Sequence, residues 1–414
     1  MKHKKQIVWS IIAAALLALM IFCLIPSGKA APERAGADSA ILNVDPAFPV
    51  PDFNLAIKFL QAASAASDVP NFSFSLLTLS EGMTFMYAGA AGESLCDLSE
   101  LFGFFGPPET AMREMASLNA AMLKAANGNM DIAAAVLFDK RRGRMFTTYA
   151  DLLELEPLAM RADIDFSDPA AAGSVINDWA GEHTKGRIKD IAAASDITDE
   201  TMCVILTAFY FKDVWADQFT PGGTIDFIVE PDVKNQTIPA MSRTGACPYA
   251  ENDIWQYVEL EFGNSGVVMA LLLPRQFMPV PDLVNGTDGD EVAELLAAAR
   301  AGTETVRITV PPFKVENSVN CKALMEQLGM HNWSGFQQMA DPSPVIALIR
   351  QKNYFDFNAK GAEAASVNAV IGVACCEPEP EMMPKNFYAD HPFLWFLLDK
   401  KSNTVLMTGW FAGQ

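Results

Sequence analysis

The chain has 414 residues, half of them hydrophobic, with 30 basic and 50 acidic side chains. A chain of this length and hydrophobic content can bury a large core, which excludes a disordered acidic tail. The formal net charge of −20 argues against nucleic acid and anionic membrane surfaces as partners, because both need basic patches, and it suits a cationic protein partner.

The first thirty residues have the layout of an export signal. Lys2, Lys4 and Lys5 form a basic segment, an apolar stretch covers residues 7–25, and the small residues before position 31 provide the spacing of a cleavage site. The apolar stretch is also long enough to cross a bilayer. Residues 1–30 are therefore predicted to be a signal peptide or an N-terminal membrane anchor, with the bulk of the chain secreted or otherwise outside the cytoplasm.

Helical patterns come mainly before strand-like patterns along the chain. Apolar residues at helical spacing predict helices over residues 52–67, 94–102, 109–126, 171–180 and 321–328. Stretches rich in β-branched and aromatic residues predict strands over residues 203–211, 257–262, 267–273, 306–310, 393–398 and 405–411. This grouping favours an α+β fold over alternating βαβ units. Since no repeat or linker divides it, the segment 31–414 is predicted to be one domain.

The residues that usually carry catalysis or bind metals are sparse. The seven cysteines have no zinc-ligand spacing and are too few for a disulfide scaffold. Outside the first thirty residues the histidines are His183, His331 and His391, and none belongs to a metal or triad motif. We therefore expect no metal, no cofactor and no hydrolase activity.

One stretch near the C-terminus breaks the pattern of strands. Residues 361–384 read GAEAASVNAVIGVACCEPEPEMMP, which begins with small residues, ends in prolines and contains no Lys or Arg. Pro378 and Pro380 exclude a central strand and favour an extended, exposed segment. A loop of this length between strands is usually functional or disordered. The alternative is an Ala-rich helix followed by a flexible tether.

Several short motifs recur in a fixed order. They are NFSFS at 71–75 followed by Thr78, ESLCDLSELF at 93–102, INDW at 176–179 with TKGRI at 184–188, LTAFYFK at 206–212 with Trp215 and Phe219, VPPFK at 310–314 with LGM at 328–330, and HPF at 391–393 with Gly409. Together they resemble the serpins, the serine protease inhibitor family, from about Phe53 to the C-terminus, in an exported bacterial-type member. The resemblance implies helices packed on a large central β-sheet plus smaller sheets, with an exposed reactive-centre loop at residues 359–385.

The segment KGAEAAS at 360–366 resembles the hinge "EKGTEAAA" of inhibitory serpins. The resemblance implies a monomer that a target serine protease cuts in the loop, after which the loop enters the main sheet and traps the acyl-enzyme. Alternate side chains of an entering strand must be buried, which small residues allow and charges oppose. The predicted hinge residues are Gly361, Ala362, Glu363, Ala364, Ala365 and Ser366.

Family spacing places the reactive bond between Cys375 and Cys376, with Val373 and Ala374 as close alternatives. Small, uncharged residues precede it, Gly372 among them, and Glu377 follows it. Such side chains suit the shallow apolar pocket of elastase-like or subtilisin-like proteases, with cysteine proteases as the next choice. The adjacent cysteines are predicted to fill that pocket, or alternatively to form a vicinal disulfide or a redox-sensitive pair.

The resemblance also marks the region of the sheet that must open, and it shows departures from the family pattern. The predicted sheet-opening residues are Ser75, Thr78, Thr207, Trp215 and Gln351. The departures are Ala359 for Glu, Ala362 for Thr, Asn368 for a small hydroxyl residue, Leu76 for Pro, Thr207 for Asn and Gln351 for His.

A non-inhibitory serpin acting as a binding or chaperone module remains the main alternative function, ahead of an exported ligand-binding protein of another fold.

Overall fold

The computed structural model describes residues 44–45, 47–66, 69–139, 141–191, 197–198, 201–231, 235–362 and 383–414. The helices in these residues are α1 Phe53–Ala66, α2 Leu76–Gly89, α3 Glu93–Phe102, α4 Pro108–Ala126, α5 Thr147–Leu153, α6 Pro169–His183, α7 Val280–Asn285, α8 Gly289–Arg300 and α9 Cys321–Gln327. None of them combines the length and the apolar character needed to cross a membrane. The signal or anchor predicted for residues 1–30 lies outside the described residues.

The largest sheet has seven strands, in the order β4-β2-β5-β15-β16-β6, with β13 paired to the other edge of β15. Its strands are β2 Met130–Phe138, β4 Ala159–Asp163, β5 Cys203–Phe211, β6 Asp213–Val214, β13 Phe313–Asn320, β15 Ile346–Asn358 and β16 Gly361–Ala362. We refer to it below as the main sheet.

Two further sheets and a short ribbon complete the β structure. The six-stranded sheet, in the order β1-β19-β18-β11-β10-β9, consists of β1 Asn71–Phe74, β9 Tyr249–Glu251, β10 Trp255–Glu261, β11 Val267–Pro274, β18 Phe393–Asp399 and β19 Val405–Phe411. The four-stranded sheet, in the order β17-β12-β8-β7, consists of β7 Thr220–Phe227, β8 Gln236–Cys247, β12 Glu304–Val310 and β17 Lys385–Tyr388. The ribbon pairs β3 Arg144–Met145 with β14 Ala340–Asp341.

The main sheet has two differently covered faces, because successive side chains of a strand point to opposite sides. Cys203 and Ile205 of β5 lie in the larger hydrophobic core, together with α1 to α4 and the six-stranded sheet. Val204 and Leu206 lie in a second core with Trp179 of α6. We call these the core face and the α6 face.

Helix α2 lies at the centre of the larger core, and all of its residues are buried. Ser75 caps it: its Oγ accepts a hydrogen bond from Thr78 N at 3.4 Å, which satisfies one of the free amides of the first turn. Gly82 allows close packing under β5, because a Cβ at that position would lie 3.1 Å from Cγ2 of Thr207. The helix therefore supports the middle of the main sheet.

The α+β prediction is confirmed, and each predicted helix and strand corresponds to an element of the structure. The predicted first helix, residues 52–67, is α1 at Phe53–Ala66. The sequence analysis missed α2, β2 and several later strands, including β8, β13 and β15, which the structure contains. The residues 40–414 form one compact unit.

Candidate functional site at the opening of the main sheet

The main sheet is parted between its two central long strands. β5 and β15 run parallel and pair only at one end, where Cys203–Leu206 of β5 face Ile346–Arg350 of β15. Beyond that end β5 stays paired to β2 and β15 stays paired to β13. Among the described residues, the facing edges of Thr207–Phe211 and Gln351–Asp356 have no strand between them. Edges of this kind present backbone groups that can pair with another strand.

The predicted hinge enters this opening from the far end. Gly361 and Ala362 form β16, which is antiparallel to both of its neighbours: Ala362 lies opposite Phe357 on β15 and opposite Asp213 on β6. The Ala362 side chain is fully buried, on the same face as Phe357. The first two residues of the predicted hinge therefore already occupy the position of a central strand.

Only glycine fits at position 361. Its φ of +152° belongs to a backbone region that L-residues rarely adopt, and a Cβ there would overlap the carbonyl oxygen of Asp213. Asp213 itself is held in place, since its Oδ1 accepts hydrogen bonds from Val214 N at 2.7 Å and from Asn264 Nδ2 at 2.8 Å. The hinge thus begins on a fixed backbone.

Trp215 closes the hinge end of the opening. Its backbone N donates to Lys360 O at 2.9 Å, and its indole Nε1 donates to Asn358 O at 2.8 Å. The ring stacks on Phe262 at 4.3 Å and meets Phe357 edge to face at 5.4 Å. Trp215 therefore holds Asn358 and Lys360, the residues just before the hinge, by hydrogen bonds, and its own ring is buried.

A hydrogen-bonded cluster lies where the two strands begin to diverge. Gln351 is the first residue of β15 beyond the paired end, and its Nε2 donates to Ser75 O at 2.8 Å and to Thr78 Oγ1 at 3.0 Å. Ser75 Oγ donates to Leu406 O at 3.1 Å. Thr207 is buried on the core face of β5, above α2. The cluster ties β15 to the start of α2, so the sheet cannot widen here without breaking it.

The far end of the predicted loop joins another sheet. β17, which starts at Lys385, pairs in parallel with β12. Lys385 Nζ donates to Glu251 Oε1 at 2.8 Å, and Arg275 pairs with the other carboxylate oxygen at 2.7 Å. The hydrogen bond from Lys385, followed by one from Tyr249, lowers the pKa of Glu251 to about 2. The Glu251 carboxylate is thus ionised at neutral pH, and its ion pair with Lys385 holds the start of β17 in place.

The structure brings seven predicted site residues to the two ends of one opening, with Gly361, Ala362 and Trp215 at the hinge end and Ser75, Thr78, Thr207 and Gln351 at the other. The remaining predicted site residues lie outside the described residues: Glu363, Ala364, Ala365, Ser366, Gly372, Val373, Ala374, Cys375, Cys376 and Glu377. Sequence reasoning missed Phe357 and Asp213, the strand partners of Ala362. No local motif marks them, because their role depends on pairing across the sheet.

The described part of the chain offers no group of side chains for metal binding, and two of its cysteines and one of its histidines are held in unreactive surroundings. It contains no group of three or more His, Cys, Asp or Glu side chains placed to hold a metal ion. Burial raises the pKa of the Cys203 and Cys321 thiols to about 12, so both stay protonated at neutral pH. Both ring nitrogens of His391 have hydrogen-bond partners: Nδ1 lies 2.7 Å from Asp390 Oδ1, and Nε2 lies 2.7 Å from Pro274 O.

Comparison with known proteins agrees with this architecture. The family model described as serpin (serine protease inhibitor) matches residues 52–412. An uncharacterized serpin-like protein of Thermococcus kodakarensis is 27% identical over 350 residues, covering 82% of this chain and 80% of that protein. Antithrombin-III of Ovis aries is 26% identical over 366 residues, covering 84% of this chain and 77% of that protein.

A solved structure of a cleaved serpin 42Da superposes with a TM-score of 0.75 at 22% identity, covering 87% of this chain and 97% of that one. At that identity the likeness concerns the fold, and the fold agrees with the family model that covers most of the sequence. The chain therefore belongs to the serpins, the family of serine protease inhibitors.

Proposed function

We propose that this serpin is a suicide-substrate inhibitor of serine proteases, of the elastase-like or subtilisin-like class. In this proposal the protease cuts the loop between the hinge and β17, and the loop then enters the main sheet while the protease is still acyl-linked. The partner is a protease outside the cytoplasm, reached by export through residues 1–30, and the inhibitor acts as a monomer.

The observation that carries the proposal is the seating of Gly361 and Ala362 between β15 and β6. Their antiparallel register, with Ala362 opposite both Phe357 and Asp213, defines where each following residue would lie if the strand continued. Counting onward, Ala364 would lie between Phe355 and Phe211, on the core face. Small residues at alternate positions meet this requirement, since an entering strand buries every second side chain.

If the strand continued in the same register, Asn368 would lie between Gln351 and Thr207. All three positions depart from the family pattern, and in the inserted state they would be neighbours at the base of the opening. An amide at 368 could exchange hydrogen bonds with the Gln351 amide and the Thr207 hydroxyl, groups that offer both donors and acceptors. Three separate departures would thus form one layer of the inserted sheet.

Insertion would gain ladder hydrogen bonds on both edges of the new strand, each contributing roughly 0.5–1.5 kcal/mol net. It would lose the parallel pairing of Cys203–Leu206 with Ile346–Arg350 and the Gln351 cluster. The hydrogen bonds gained by a new strand with two neighbours can outweigh those lost from a short parallel pairing. Cleavage frees one end of the loop, so the cut protein would become more stable once the loop has entered the sheet.

The chemistry is that of an ordinary protease acylation that stops midway. The protease serine oxygen would bond to the carbonyl carbon of Cys375, and the bond to the Cys376 nitrogen would break, with the proton passing to the departing amine. Insertion must then precede attack by water on the acyl bond. Small, uncharged residues before the bond favour a shallow apolar pocket, and residues 361–384 contain no Lys or Arg for a trypsin-like pocket.

The test is incubation with an elastase-like protease, followed by denaturing electrophoresis, the intact mass of the released peptide and the melting temperature of the cut protein. We expect a detergent-stable complex, a peptide starting at Cys376 and a higher melting temperature after cleavage. Cleavage without a complex, together with an unchanged melting temperature, would refute inhibition by insertion. A complex with a cysteine protease alone would replace the proposed target class.

A matched pair of variants tests the insertion step. Ala364→Arg would place a guanidinium on the core face and should convert the inhibitor into a substrate. Ala365→Arg changes the next residue, which in a continued strand would lie on the opposite face beside the half-buried Tyr354, and should retain more inhibition. Equal inhibition by both variants would contradict the register.

A further inference from the structure

Residues 215–219 hold the three carbonyl groups of residues 358–360, which lead from β15 into the hinge. Trp215 holds the first and the third of them, by the two hydrogen bonds described above. Phe219 N donates to the second, Ala359 O, at 3.0 Å. The turn before β16 is therefore fixed by a segment outside the main sheet, and we call residues 215–219 the hinge clamp.

The first half of the hinge clamp is attached to the end of β10 in the six-stranded sheet. Ala216 N donates to Glu261 O at 2.9 Å, and the Trp215 ring stacks on Phe262. The second half begins at Asp217 and leads into β7. It is held by a side chain of β8, the strand that pairs with β7.

This side chain is Arg243. Its Nη1 donates to Asp217 O at 3.1 Å and lies 3.5 Å from Asp217 Oδ2. Its guanidinium carbon lies 5.7 Å from the centre of the buried Phe219 ring, which is a cation–π distance. A single guanidinium thus contacts the backbone, the carboxylate and the aromatic ring of the second half of the clamp, and Phe219 carries the amide that holds Ala359.

Arg243 is an unfavourable residue for stability at this position. Its side chain is 8% exposed, whereas the Asp217 side chain with which it pairs is 76% exposed. Its Nε has no hydrogen-bond acceptor in the described structure. A buried and incompletely paired charge costs free energy, and an apolar side chain of similar volume is often at least as stable. Residues that break a stability rule tend to lie at functional sites, so the burial of this charge indicates a role beyond packing.

The strand that carries Arg243 is also connected to the far end of the predicted loop. Arg243 lies opposite Ile308 of β12, and Ile308 lies opposite Phe387 of β17, the strand that follows the loop. Both Ile308 and Phe387 are fully buried. The sheet that supports the hinge clamp is therefore the sheet in which the loop ends, so the two ends of the loop share one support.

We propose that Arg243 is a positioning residue for loop insertion, which holds the hinge clamp so that the Phe219 amide keeps Ala359 in place at the start of the hinge. The proposal rests on the insertion mechanism given above and names a residue that acts on its first step. Without Arg243 the hydrogen bond to Ala359 O is lost more often, and the strand enters the sheet more slowly. Water then has more time to hydrolyse the acyl bond, and more inhibitor is consumed as substrate.

The experiment compares Arg243→Met, which removes the charge but fills the space, with Arg243→Lys, which keeps the charge on a smaller head group. Arg307→Gln, at an exposed position of the neighbouring strand β12, removes the same charge and controls for a slower encounter with the protease. Three quantities are measured with an elastase-like protease and the full chain: the number of inhibitor molecules consumed per protease molecule, the hydrogen exchange rate of the Phe219 amide, and the melting temperature of the uncut protein.

We expect Arg243→Met to raise the consumption ratio roughly two- to tenfold, the effect of losing one hydrogen bond, and to speed exchange at Phe219. Its melting temperature should stay close to that of the wild type, because methionine replaces the buried charge without leaving a cavity. Arg243→Lys should give an intermediate ratio, and Arg307→Gln should change neither the ratio nor the exchange.

A consumption ratio for Arg243→Met equal to that of Arg307→Gln would overturn the proposal, and a lower melting temperature with that unchanged ratio would assign Arg243 a structural role alone. If the wild-type protein forms no complex, the insertion mechanism fails instead. The exchange rate then still decides whether Arg243 holds the clamp, since unchanged exchange at Phe219 in Arg243→Met would refute that contact independently. The two failures are therefore distinguishable.

Discussion

Gln351 holds the backbone of Ser75 on both sides of that residue. Its Oε1 accepts from Ser75 N at 2.7 Å, and its Nε2 donates to Ser75 O at 2.8 Å. Ser75 caps the helix beneath the sheet, whereas Gln351 is the point at which β15 separates from β5. An amide has one accepting and one donating end, so it satisfies both backbone groups without carrying charge.

Replacing Gln351 by leucine should destabilise the uncleaved protein by about 1–3 kcal/mol, because the buried Ser75 N loses its acceptor and Ser75 O keeps only the hydrogen bond from Leu79 N at 3.3 Å. Urea unfolding measures this loss. Asn353→Leu is the matched control: Asn353 is equally buried two residues along the same strand, but its Nδ2 has no hydrogen-bond partner in the described structure. A larger loss at Asn353 than at Gln351 would contradict the role of the cluster.

Replacing Gln351 by histidine, the residue common in the family, should introduce a pH dependence that the wild-type site lacks. A neutral imidazole can accept from Ser75 N, but a protonated ring has no acceptor. The folded-state pKa of this histidine would fall below its unfolded value of about 6.5, so stability is present above that pH and lost below it. Melting temperatures between pH 5 and 8, compared with wild type, check the expectation; parallel curves would refute it.

Gly361→Ala should displace the hinge from its seat and cost about 2–4 kcal/mol, since the added methyl overlaps the Asp213 carbonyl oxygen. Gly92→Ala separates the effect of φ from that of crowding, because Gly92 has a φ of +60° but no atom within 4 Å of the added Cβ. It should cost about 1–3 kcal/mol, from backbone strain alone. Thermal unfolding of both variants measures the difference, and equal costs would show that the Asp213 contact does not matter.

Glu81 on α2 should make the protein less stable as pH rises. Neither carboxyl oxygen has a hydrogen-bond partner in the described structure, and burial, followed by the neighbouring Glu156, holds the pKa of Glu81 well above its ordinary value. The folded state therefore keeps a proton that the unfolded chain releases above about pH 4.3. Stability contributed by that proton is complete below this pH and is lost on raising the pH towards the folded pKa.

In that window the free energy of unfolding should fall by about 1.4 kcal/mol per pH unit for the one proton released. Glu81→Gln should remove this slope and be more stable than wild type at pH 8. Denaturant titrations at several pH values supply the measurement, with the exposed Glu109→Gln as the control that leaves the slope unchanged. A slope that survives Glu81→Gln would mean that another group carries it.

Cys375→Arg should move inhibition towards trypsin-like proteases by at least about tenfold relative to elastase-like ones, because the residue before the cut bond fills the specificity pocket. Rates of complex formation with one enzyme of each class measure the shift. Cys376→Arg is the control on the leaving side and should leave the ratio nearly unchanged. If the control gains trypsin-like inhibition and Cys375→Arg does not, the reactive bond lies one residue further on.

Elements with a clear one-sided pattern were predictable from sequence. α1 and β5 were predicted to within a residue, because apolar residues at helical spacing and a β-branched, aromatic stretch are local signals. α2 was not predicted, since it is buried on all sides and shows no polar face to reveal its period. β2, with three consecutive alanines, also lacks the β-branched composition of a typical strand.

The hinge and the residues under the sheet were recognised by resemblance, and the sequence alone determined which residue types stand there: small side chains after Lys360, and amide and hydroxyl groups where the sheet opens. Only the tertiary structure decided how they meet. Ser75 and Gln351 are 276 positions apart, and the seating of Ala362 depends on Phe357 and Asp213 from different strands. Local patterns reflect the preferences of single segments, whereas strand register and buried hydrogen bonds arise only when distant segments pack together.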